Sequence, residues 1–245
     1  EKQGLNLEQD IVKNRIVKNA LKDTLKSRPS ALYQKEFALR IRTGNLSDDF
    51  DKIDQADWII EVVVEKLDIK KKIFKKVEEL RKPGSIISSN TSGIPIHMML
   101  KDRSDDFKKH FLGTHFFNPP RYLDLLEIIP GPSTDPDIVS FMMQFGDRHL
   151  GKTTVLCKDT PAFIANRVGV AGILSLFHLV EKKGFSVEAV DTLTGPIIGR
   201  PKSATFRTCD VVGLDTLMHV ADGLYQNCKQ DEIRSSFLLP KYVQS

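Results

Sequence analysis

The sequence contains no hydrophobic run long enough to cross a membrane. A bilayer-spanning helix needs about 20 consecutive apolar residues, and no stretch of the 245 residues approaches that length. Residues 1–4 are polar and hold no hydrophobic core of a signal peptide. We therefore expect neither a membrane segment nor a secretory leader within these residues.

Cysteine is scarce and the charge is nearly balanced. The three cysteines, Cys157, Cys209 and Cys228, are odd in number and lack metal-ligand spacing, so they predict reduced thiols in a cytoplasmic protein rather than a disulfide framework or a metal site. The net charge of +4 is mild. It is compatible with a phosphorylated ligand but gives no support to nucleic-acid binding.

Apolar runs alternate with helical periodicity over residues 58–157. Residues 58–64 are almost continuously apolar and β-branched, which is typical of a strand buried on both faces. Further strands are predicted at residues 85–89, 111–115, 123–129 and 153–157, with helices at about 68–80, 94–101 and 136–150. This alternation predicts a doubly wound α/β layer.

The two ends of the sequence predict helices instead. Before the α/β layer, residues 5–27 and 31–41 have helical periodicity. After it, residues 162–183 form a long apolar helical stretch that Gly184 closes, and residues 211–228 form another. No strand signal follows residue 157, so we expect an α/β domain over residues 1–157 and an all-helical domain over residues 158–245, with no flexible linker.

Capping residues support the helices of the second domain. Asp159 or Thr160 can cap the long helix, and Pro161 suits its first turn. Ser186 is predicted to cap the next helix, with Glu188 in its first turn.

Polar residues follow three of the predicted strands. Glu65 comes after the first strand, Ser92 after the second, and His115 ends the third. In doubly wound sheets, ligands bind beyond the carboxyl ends of the strands. The shared placement of these residues therefore predicts one site at that edge.

His115 and Glu127 are the candidates for acid–base chemistry. Each stands in an apolar run, twelve residues apart. Histidine can take and return a proton near neutral pH, and a carboxylate bonded to one ring nitrogen fixes its tautomer. On these two residues alone we favour a capped core histidine and a surface glutamate; the other motifs change that interpretation.

Five strings together resemble the L-3-hydroxyacyl-CoA dehydrogenase family. They are Ile60-Glu61-Val62-Val63-Val64-Glu65, Ser89-Asn90-Thr91-Ser92, His115-Phe116-Phe117-Asn118-Pro119, Leu126-Glu127-Ile128 and Lys158-Asp159-Thr160-Pro161-Ala162-Phe163-Ile164-Ala165-Asn166-Arg167. Residues 211–215 are also similar, so the resemblance runs from about residue 56 to 228. It implies a Rossmann-like sheet and NAD-dependent oxidation of an L-3-hydroxyacyl-CoA to the 3-oxoacyl-CoA, as in fatty acid β-oxidation.

The resemblance also assigns catalytic residues. His115 matches the base and Glu127 its orienting partner. Ser92 and Asn166 match groups that hydrogen-bond the reacting oxygen or the acyl carbonyl. Without the resemblance, Ser92 could be only a helix cap and Asn166 only a surface amide.

The resemblance places the cofactor, NAD, against Glu65, Lys70, Ser92 and Asn118, with no metal. Taken alone, Lys70 stands in a run of three lysines and would be interpreted as part of a solvated helix face. The family's G-x-G-x-x-G turn does not occur in the 245 residues, and the acidic residue expected to bind the ribose cannot be identified. We therefore expect flanking segments at both ends of the sequence, and weak NAD binding by these residues alone.

The partners implied are an acyl-CoA substrate, a second copy of the chain through the helical domain and, as in larger relatives, a hydratase-like region in the parent chain. Two alternatives stay open: a non-catalytic CoA-binding or structural relative, and a two-domain dehydrogenase of small hydroxy acids. The presence of His115, Glu127, Ser92 and Asn166 favours the acyl-CoA dehydrogenase. The sequence does not reveal the acyl chain length.

Overall fold

A computed structural model describes residue 6 and residues 8–244 of the chain. The chain divides by packing into two compact units, one of Glu1–Asp57 with Glu79–Pro83 and one of Trp58–Glu78 with Gly84–Ser245. This division does not test the domain boundary expected near residue 158, which stays a prediction.

The first unit holds short helices. Helix α1 covers Asp10–Lys13 and α2 covers Arg15–Lys26, with 3-10 turns at Lys35–Arg40 and Phe50–Gln55. The helix predicted over residues 5–27 is thus interrupted at Asn14, and its residues 5 and 7 lie outside the described part. The buried Asn14 side chain donates to Asp10 and accepts from Asn45, so local side-chain bonds compete with a continuous helix at this point.

The second unit begins with a five-stranded sheet flanked by helices, as predicted. In chain order its elements are β1 Trp58–Glu61, α3 Leu67–Leu80, β2 Ile86–Ser89, α4 Ile96–Met99, α5 Asp105–Lys109, β3 Phe111–Phe116, β4 Leu125–Pro130, α6 Pro136–His149 and β5 Thr153–Leu156. The strand order is β1-β2-β3-β4-β5. Neighbouring strands are parallel except β3 and β4, which are antiparallel.

The antiparallel pair follows from its connection. A parallel neighbour needs a crossover of a dozen or more residues, usually a helix, and only residues 117–124 join β3 to β4. The register sets His115 directly opposite Glu127. Cross-strand partners face the same side of a sheet, so this connection places the two candidate residues side by side.

Strand β1 differs from its prediction. It ends at Glu61 rather than residue 64, and Ile60 and Val62 are 41% and 67% exposed. The expectation of burial on both faces is therefore wrong. Among the described residues, β1 pairs with β2 alone and lies at an edge of the sheet, where a strand is less enclosed than at the centre.

Helix α6 packs closely against strands β3, β4 and β5. Leu112, Leu126, Ile128 and Met142 form a buried cluster that joins β3 and β4 to α6. A Cβ at Gly146 would collide with the Thr154 side chain. The absence of a side chain at this position lets α6 lie close to β5.

The rest of the second unit is helical, as predicted. Its elements are α7 Ala165–Lys183, α8 Val187–Thr194, α9 Phe206–Val212, α10 Leu214–Asn227 and α11 Lys241–Gln244, with 3-10 turns at Pro196–Ile198 and Arg234–Phe237. No strand lies between residues 157 and 244. Gly184 ends α7 with a φ of 69°, and the Ser186 hydroxyl accepts from Ala189 N–H at the start of α8.

The helices share one apolar core. Leu174 and Phe177 of α7 pack with Ala221 and Leu224 of α10 and with Phe237, all with 1% or less exposed. The helix predicted over residues 211–228 is split into α9 and α10 at Gly213, whose φ is 97°. Across residue 6 and residues 8–244, no helix combines the length and apolar character needed to span a bilayer.

The start of α7 also differs from its prediction. Ala162 and Phe163 have φ values of 57° and 52°, a left-handed conformation that ends helical geometry, so α7 begins at Ala165. Asp159 does not cap α7. Its carboxylate instead accepts from the N–H groups of Ile96 and His97, at 2.6 and 2.9 Å, and so caps α4.

Candidate active site

His115 and Glu127 form a buried hydrogen-bonded pair. Nδ1 of His115 lies 2.7 Å from Oε2 of Glu127, and the side chains are 4% and 1% exposed. An ionised carboxylate can only accept, so Nδ1 carries a proton, and in the neutral ring the lone pair is on Nε2. Within the part of the chain that the structure describes, Nε2 has no hydrogen-bond partner. The pair therefore holds the imidazole in one orientation, with one ring nitrogen unpaired in that part of the chain.

The second carboxylate oxygen of Glu127 caps helix α7. Oε1 accepts from the N–H groups of Ile164 and Ala165, at 3.0 and 2.8 Å. The first N–H groups of a helix lack intrahelical partners and favour a negative charge. Because no side chain of its own segment caps α7, a residue of β4 fulfils that role.

These contacts set the charge state of Glu127. Burial acts to raise its pKa, but the hydrogen bond from His115, the Ala165 N–H and the neighbouring imidazole outweigh burial and hold the pKa below its ordinary value. Glu127 is thus a carboxylate at neutral pH. Burial, together with the Glu127 charge, raises the pKa of the nearby Cys157 to about 12, so this thiol is protonated and unreactive.

Aromatic rings enclose the histidine. The ring centroids of Phe117 and Phe163 lie 4.4 and 5.7 Å from that of His115. Phe163 is 2% exposed and occupies the left-handed turn before α7. These rings restrict the water that reaches the imidazole.

Ser92 and Asn166 are also brought together. Asn166 Nδ2 donates to the backbone carbonyl of Ser92 at 3.4 Å, while the Ser92 residue is exposed. Asn166 directly follows Ala165, whose N–H binds Glu127. The first turn of α7 therefore links all four predicted catalytic residues.

Glu65 holds the loop that carries Ser92. Its Oε1 accepts from the Thr91 hydroxyl and from the N–H groups of Ser92, Gly93 and Ile94. Burial acts to raise the pKa of Glu65, but the Thr91 hydrogen bond and the charge of Lys70 hold it below its ordinary value. The side chain keeps 38% exposure, so the carboxylate can still accept from a ligand hydroxyl.

Lys70 lies in the interior, contrary to its interpretation as part of a solvated lysine run. Its side chain is 1% exposed, and its ammonium meets Oε1 and Oε2 of Glu61, both at 2.9 Å, and Oε2 of Glu65 at 3.2 Å. Sequence reasoning missed Glu61 as an individual residue. The available signal was a single acidic residue inside the apolar run of residues 58–64.

Asn118 stands apart from these contacts. It lies two residues beyond the end of β3, is exposed, and precedes a cis peptide bond to Pro119. Among residues 8–244 its side chain has no hydrogen-bond partner. The structure places it at the predicted edge of the sheet without joining it to another predicted residue.

The strand ends fit the nicotinamide half of NAD. Glu65, Ser92 and Asn118 follow β1, β2 and β3 at the carboxyl edge of the sheet, and each has an exposed polar group. A carboxylate, a hydroxyl and an amide match the hydrogen-bonding groups of a ribose and a carboxamide. Lys70 supports Glu65 through a 3.2 Å ion pair, and its contact with the cofactor stays a prediction.

Comparison with known proteins identifies the family of the chain. Residues 5–160 match the family described as 3-hydroxyacyl-CoA dehydrogenase, NAD binding domain, and residues 163–245 match the C-terminal domain of the same enzyme. The chain therefore belongs to the 3-hydroxyacyl-CoA dehydrogenase family and carries its NAD-binding domain.

Relatives are similar over nearly the whole chain. A protein of Bacillus subtilis named as a 3-hydroxyacyl-CoA dehydrogenase is 55% identical over 243 residues, which are 99% of this chain and 31% of that protein. A protein of the same name from Deinococcus radiodurans is 46% identical over 220 residues, 90% of this chain and 64% of that protein. The chain thus spans between about a third and two thirds of these relatives.

Solved structures are similar in fold. The crystal structure of (S)-3-hydroxybutyryl-CoA dehydrogenase from Ralstonia eutropha superposes with a TM-score of 0.79 at 27% identity, covering 96% of this chain and 81% of that chain. The incomplete Rossmann-like sheet followed by a helical region is therefore confirmed.

Proposed function

We propose that the protein oxidises the 3-hydroxyl group of an L-3-hydroxyacyl-CoA to a ketone, with NAD as the acceptor. The buried pair of His115 and Glu127 carries the proposal, because its 2.7 Å bond directs the lone pair of Nε2 outward from the carboxylate. A carboxylate bonded to one ring nitrogen orients an acid–base histidine and stabilises its protonated form. A histidine with only a structural role does not require such a partner.

In the proposed reaction, Nε2 of His115 accepts the proton of the substrate hydroxyl. Glu127 stabilises the resulting imidazolium through Nδ1 and keeps the ring in one orientation. The enclosing rings of Phe117 and Phe163 limit competing hydrogen bonds from water. In the reverse direction the imidazolium returns the same proton to the carbonyl oxygen.

Ser92 and Asn166 hold the reacting oxygen or the acyl carbonyl through a hydroxyl and an amide. Bound NAD would supply the hydride acceptor for carbon 3. Glu65 and Asn118 would hold the nicotinamide end of the cofactor, and Lys70 fixes Glu65. These assignments rest on the family resemblance together with the grouping at the strand ends.

We place this reaction in fatty acid β-oxidation. A relative from Rickettsia prowazekii, named as a trifunctional enzyme of a fatty acid oxidation complex, is 35% identical over 211 residues, 86% of this chain and 29% of that protein. The same similarity supports a hydratase region in the parent chain. A homodimer through the helical domain and a cytoplasmic location, consistent with the three free and buried cysteines, complete the proposal.

The test uses the full-length protein. NADH formation is followed with L- and D-3-hydroxybutyryl-CoA and with free 3-hydroxybutyrate. We expect turnover of the L-thioester alone. Turnover of the free acid would favour a hydroxy-acid dehydrogenase, and no turnover together with no fluorescence change on NADH titration would favour a non-catalytic relative.

A further inference from the structure

Glu61 is a buried carboxylate to which the proposed reaction gives no role. Its side chain is 2% exposed and accepts four hydrogen bonds: from Val63 N–H, from the Ser89 hydroxyl and twice from Lys70. A buried charge is costly unless it is paired and fully hydrogen-bonded. Glu61 meets that condition, so it is a fixed anion at the end of β1.

Lys70 connects this anion to Glu65. Its ammonium meets both oxygens of Glu61 and Oε2 of Glu65. The three side chains then carry two negative charges and one positive charge, which leaves one negative charge in excess. The loop after β2 offsets this excess charge, because three backbone N–H groups of the loop donate hydrogen bonds to Glu65 Oε1.

The same loop is bound from its other end. Asp159 accepts from the N–H groups of Ile96 and His97 and pairs with His97 Nδ1. Between these two carboxylates lies Ser92, whose carbonyl accepts from Asn166. The position of Ser92 is therefore set by fixed charges rather than by packing of its own side chain.

We propose that Glu61 is a positioning residue: through Lys70 it holds Glu65 in place, and Glu65 holds the Ser92 loop. The proposal rests on the proposed function for the role of Ser92 in the reaction. We call the series Glu61, Lys70 and Glu65 the carboxylate–lysine clamp. Without the charge of Glu61, Glu65 is the remaining carboxylate beside the buried Lys70 ammonium. The lysine then draws Glu65 toward itself, and the hydrogen bonds from Glu65 to the Ser92 loop weaken.

The test measures the loop directly by amide hydrogen exchange in the full-length protein without substrate. Glu61→Gln keeps the shape and removes the charge. We expect exchange at Ser92, Gly93 and Ile94 to accelerate by about tenfold or more, the loss expected when a charge-assisted hydrogen bond is broken. Ser88→Ala is the matched control.

The control is matched because Ser88 lies next to Ser89 but faces the opposite side of β2. The Ser88 hydroxyl accepts from Trp58 and Thr114 and does not contact the clamp. Loss of the Ser88 hydroxyl removes buried hydrogen bonds of comparable strength from the same sheet. Equal exchange at residues 92–94 in Glu61→Gln and Ser88→Ala would overturn the proposal.

A milder variant covers the case in which Glu61→Gln does not fold. Ser89→Ala removes a 2.6 Å hydrogen bond to Glu61 Oε2 and keeps all charges. We expect a several-fold faster exchange at residues 92–94 than in Ser88→Ala. No difference between these two neighbouring serine variants would count against the clamp.

Kinetics provide the second readout. Glu61→Gln should lower kcat by about tenfold, and the double variant Glu61→Gln/Glu65→Gln should lose no more than Glu65→Gln alone, because residues acting in series are not additive. If the fold-losses in kcat of the two single variants multiply in the double variant, Glu61 acts independently of Glu65 and the proposal is overturned. Absence of any dehydrogenase activity would refute the proposed function alone, since the exchange measurement does not depend on it.

Discussion

Two buried ionic groups lie on one sheet, and they differ in what they leave unpaired. In the pair of His115 and Glu127, one ring nitrogen is bound and the other is free. In the carboxylate–lysine clamp, the Lys70 ammonium meets three carboxylate oxygens. The pair thus leaves one ring nitrogen open to a ligand, whereas the buried members of the clamp, Glu61 and Lys70, bind each other.

The comparison shows that burial of charge alone does not mark a reactive group. Glu127 and Glu61 are equally enclosed, with side chains 1% and 2% exposed. Glu127 is bound to an imidazole, whose second ring nitrogen can accept a proton, while Glu61 is bound to an ammonium, which can only donate. The group bonded to a buried carboxylate therefore determines which role we propose for it: assisting proton transfer for Glu127, or positioning a loop for Glu61.

The largest expected effect tests the pair of His115 and Glu127, in which one ring nitrogen is unpaired among the described residues. In the full-length protein, His115→Ala should lower turnover by roughly two to four orders of magnitude, the range for loss of a general base. Steady-state NADH formation measures it, and His219→Ala, at an exposed position of α10, is the control. Near-normal turnover in His115→Ala would remove the acid–base role.

Glu127→Gln tests the partner. It keeps the shape and removes the charge that stabilises the imidazolium, so we expect kcat to fall by roughly one to two orders of magnitude with KM for the acyl-CoA nearly unchanged. Steady-state kinetics separates the two parameters. A change confined to KM would contradict the assignment.

The same variant has a signature in acid. Because the pKa of Glu127 is held below its ordinary value of 4.5, its stabilising contribution is complete above that pH and is lost as the pH falls through the lowered pKa. The difference in melting temperature between wild type and Glu127→Gln should therefore shrink on acidification below about 4.5. A constant difference would show that the charge does not stabilise the fold.

Ser92→Ala separates the hydroxyl from the loop that carries it. The backbone N–H and carbonyl of Ser92 make the contacts with Glu65 and Asn166, and these survive the substitution. We expect kcat to fall about tenfold, as for loss of one hydrogen bond to the reacting oxygen, with an unchanged melting temperature. A large fall in melting temperature would show that the hydroxyl is structural.

The smallest effect concerns Cys157. Since burial and the Glu127 charge raise the pKa of its thiol to about 12, iodoacetamide should leave Cys157 unmodified in the folded protein at pH 9.0, the ordinary cysteine value. Glu127→Gln removes one of the two causes, so alkylation should accelerate by less than about tenfold. Mass spectrometry of the Cys157 peptide, with denatured protein as the reference, measures both rates.

Local pattern predicted much of the fold. The apolar runs locate β2 to β5 within about two residues, and Gly184 and Ser186 mark the end of α7 and the start of α8. Two errors have local causes, namely the Asn14–Asp10 hydrogen bond where the first helix is interrupted and the positive φ of Gly213 between α9 and α10. Another arises from a contact distant in sequence. The start of α7 is displaced because Glu127, 37 residues earlier, supplies its cap, and no local pattern contains that information.

The candidate site was predicted by residue type and spacing, with the family resemblance assigning the roles. The cross-strand register explains why His115 and Glu127 are neighbours. The burial of Lys70 was not predictable from a run of three lysines. It follows from helix α3 turning one lysine inward onto Glu61, nine residues earlier, which only the packed structure shows.

The cap that Glu127 provides has a consequence for precision. One oxygen of this carboxylate fixes the histidine, and the other fixes the helix turn that presents Asn166. The imidazole of His115 and the amide of Asn166 are therefore both positioned by the same carboxylate. A shift of the sheet against the helix would stretch a hydrogen bond to this carboxylate, so Glu127 restrains the distance between His115 and Asn166.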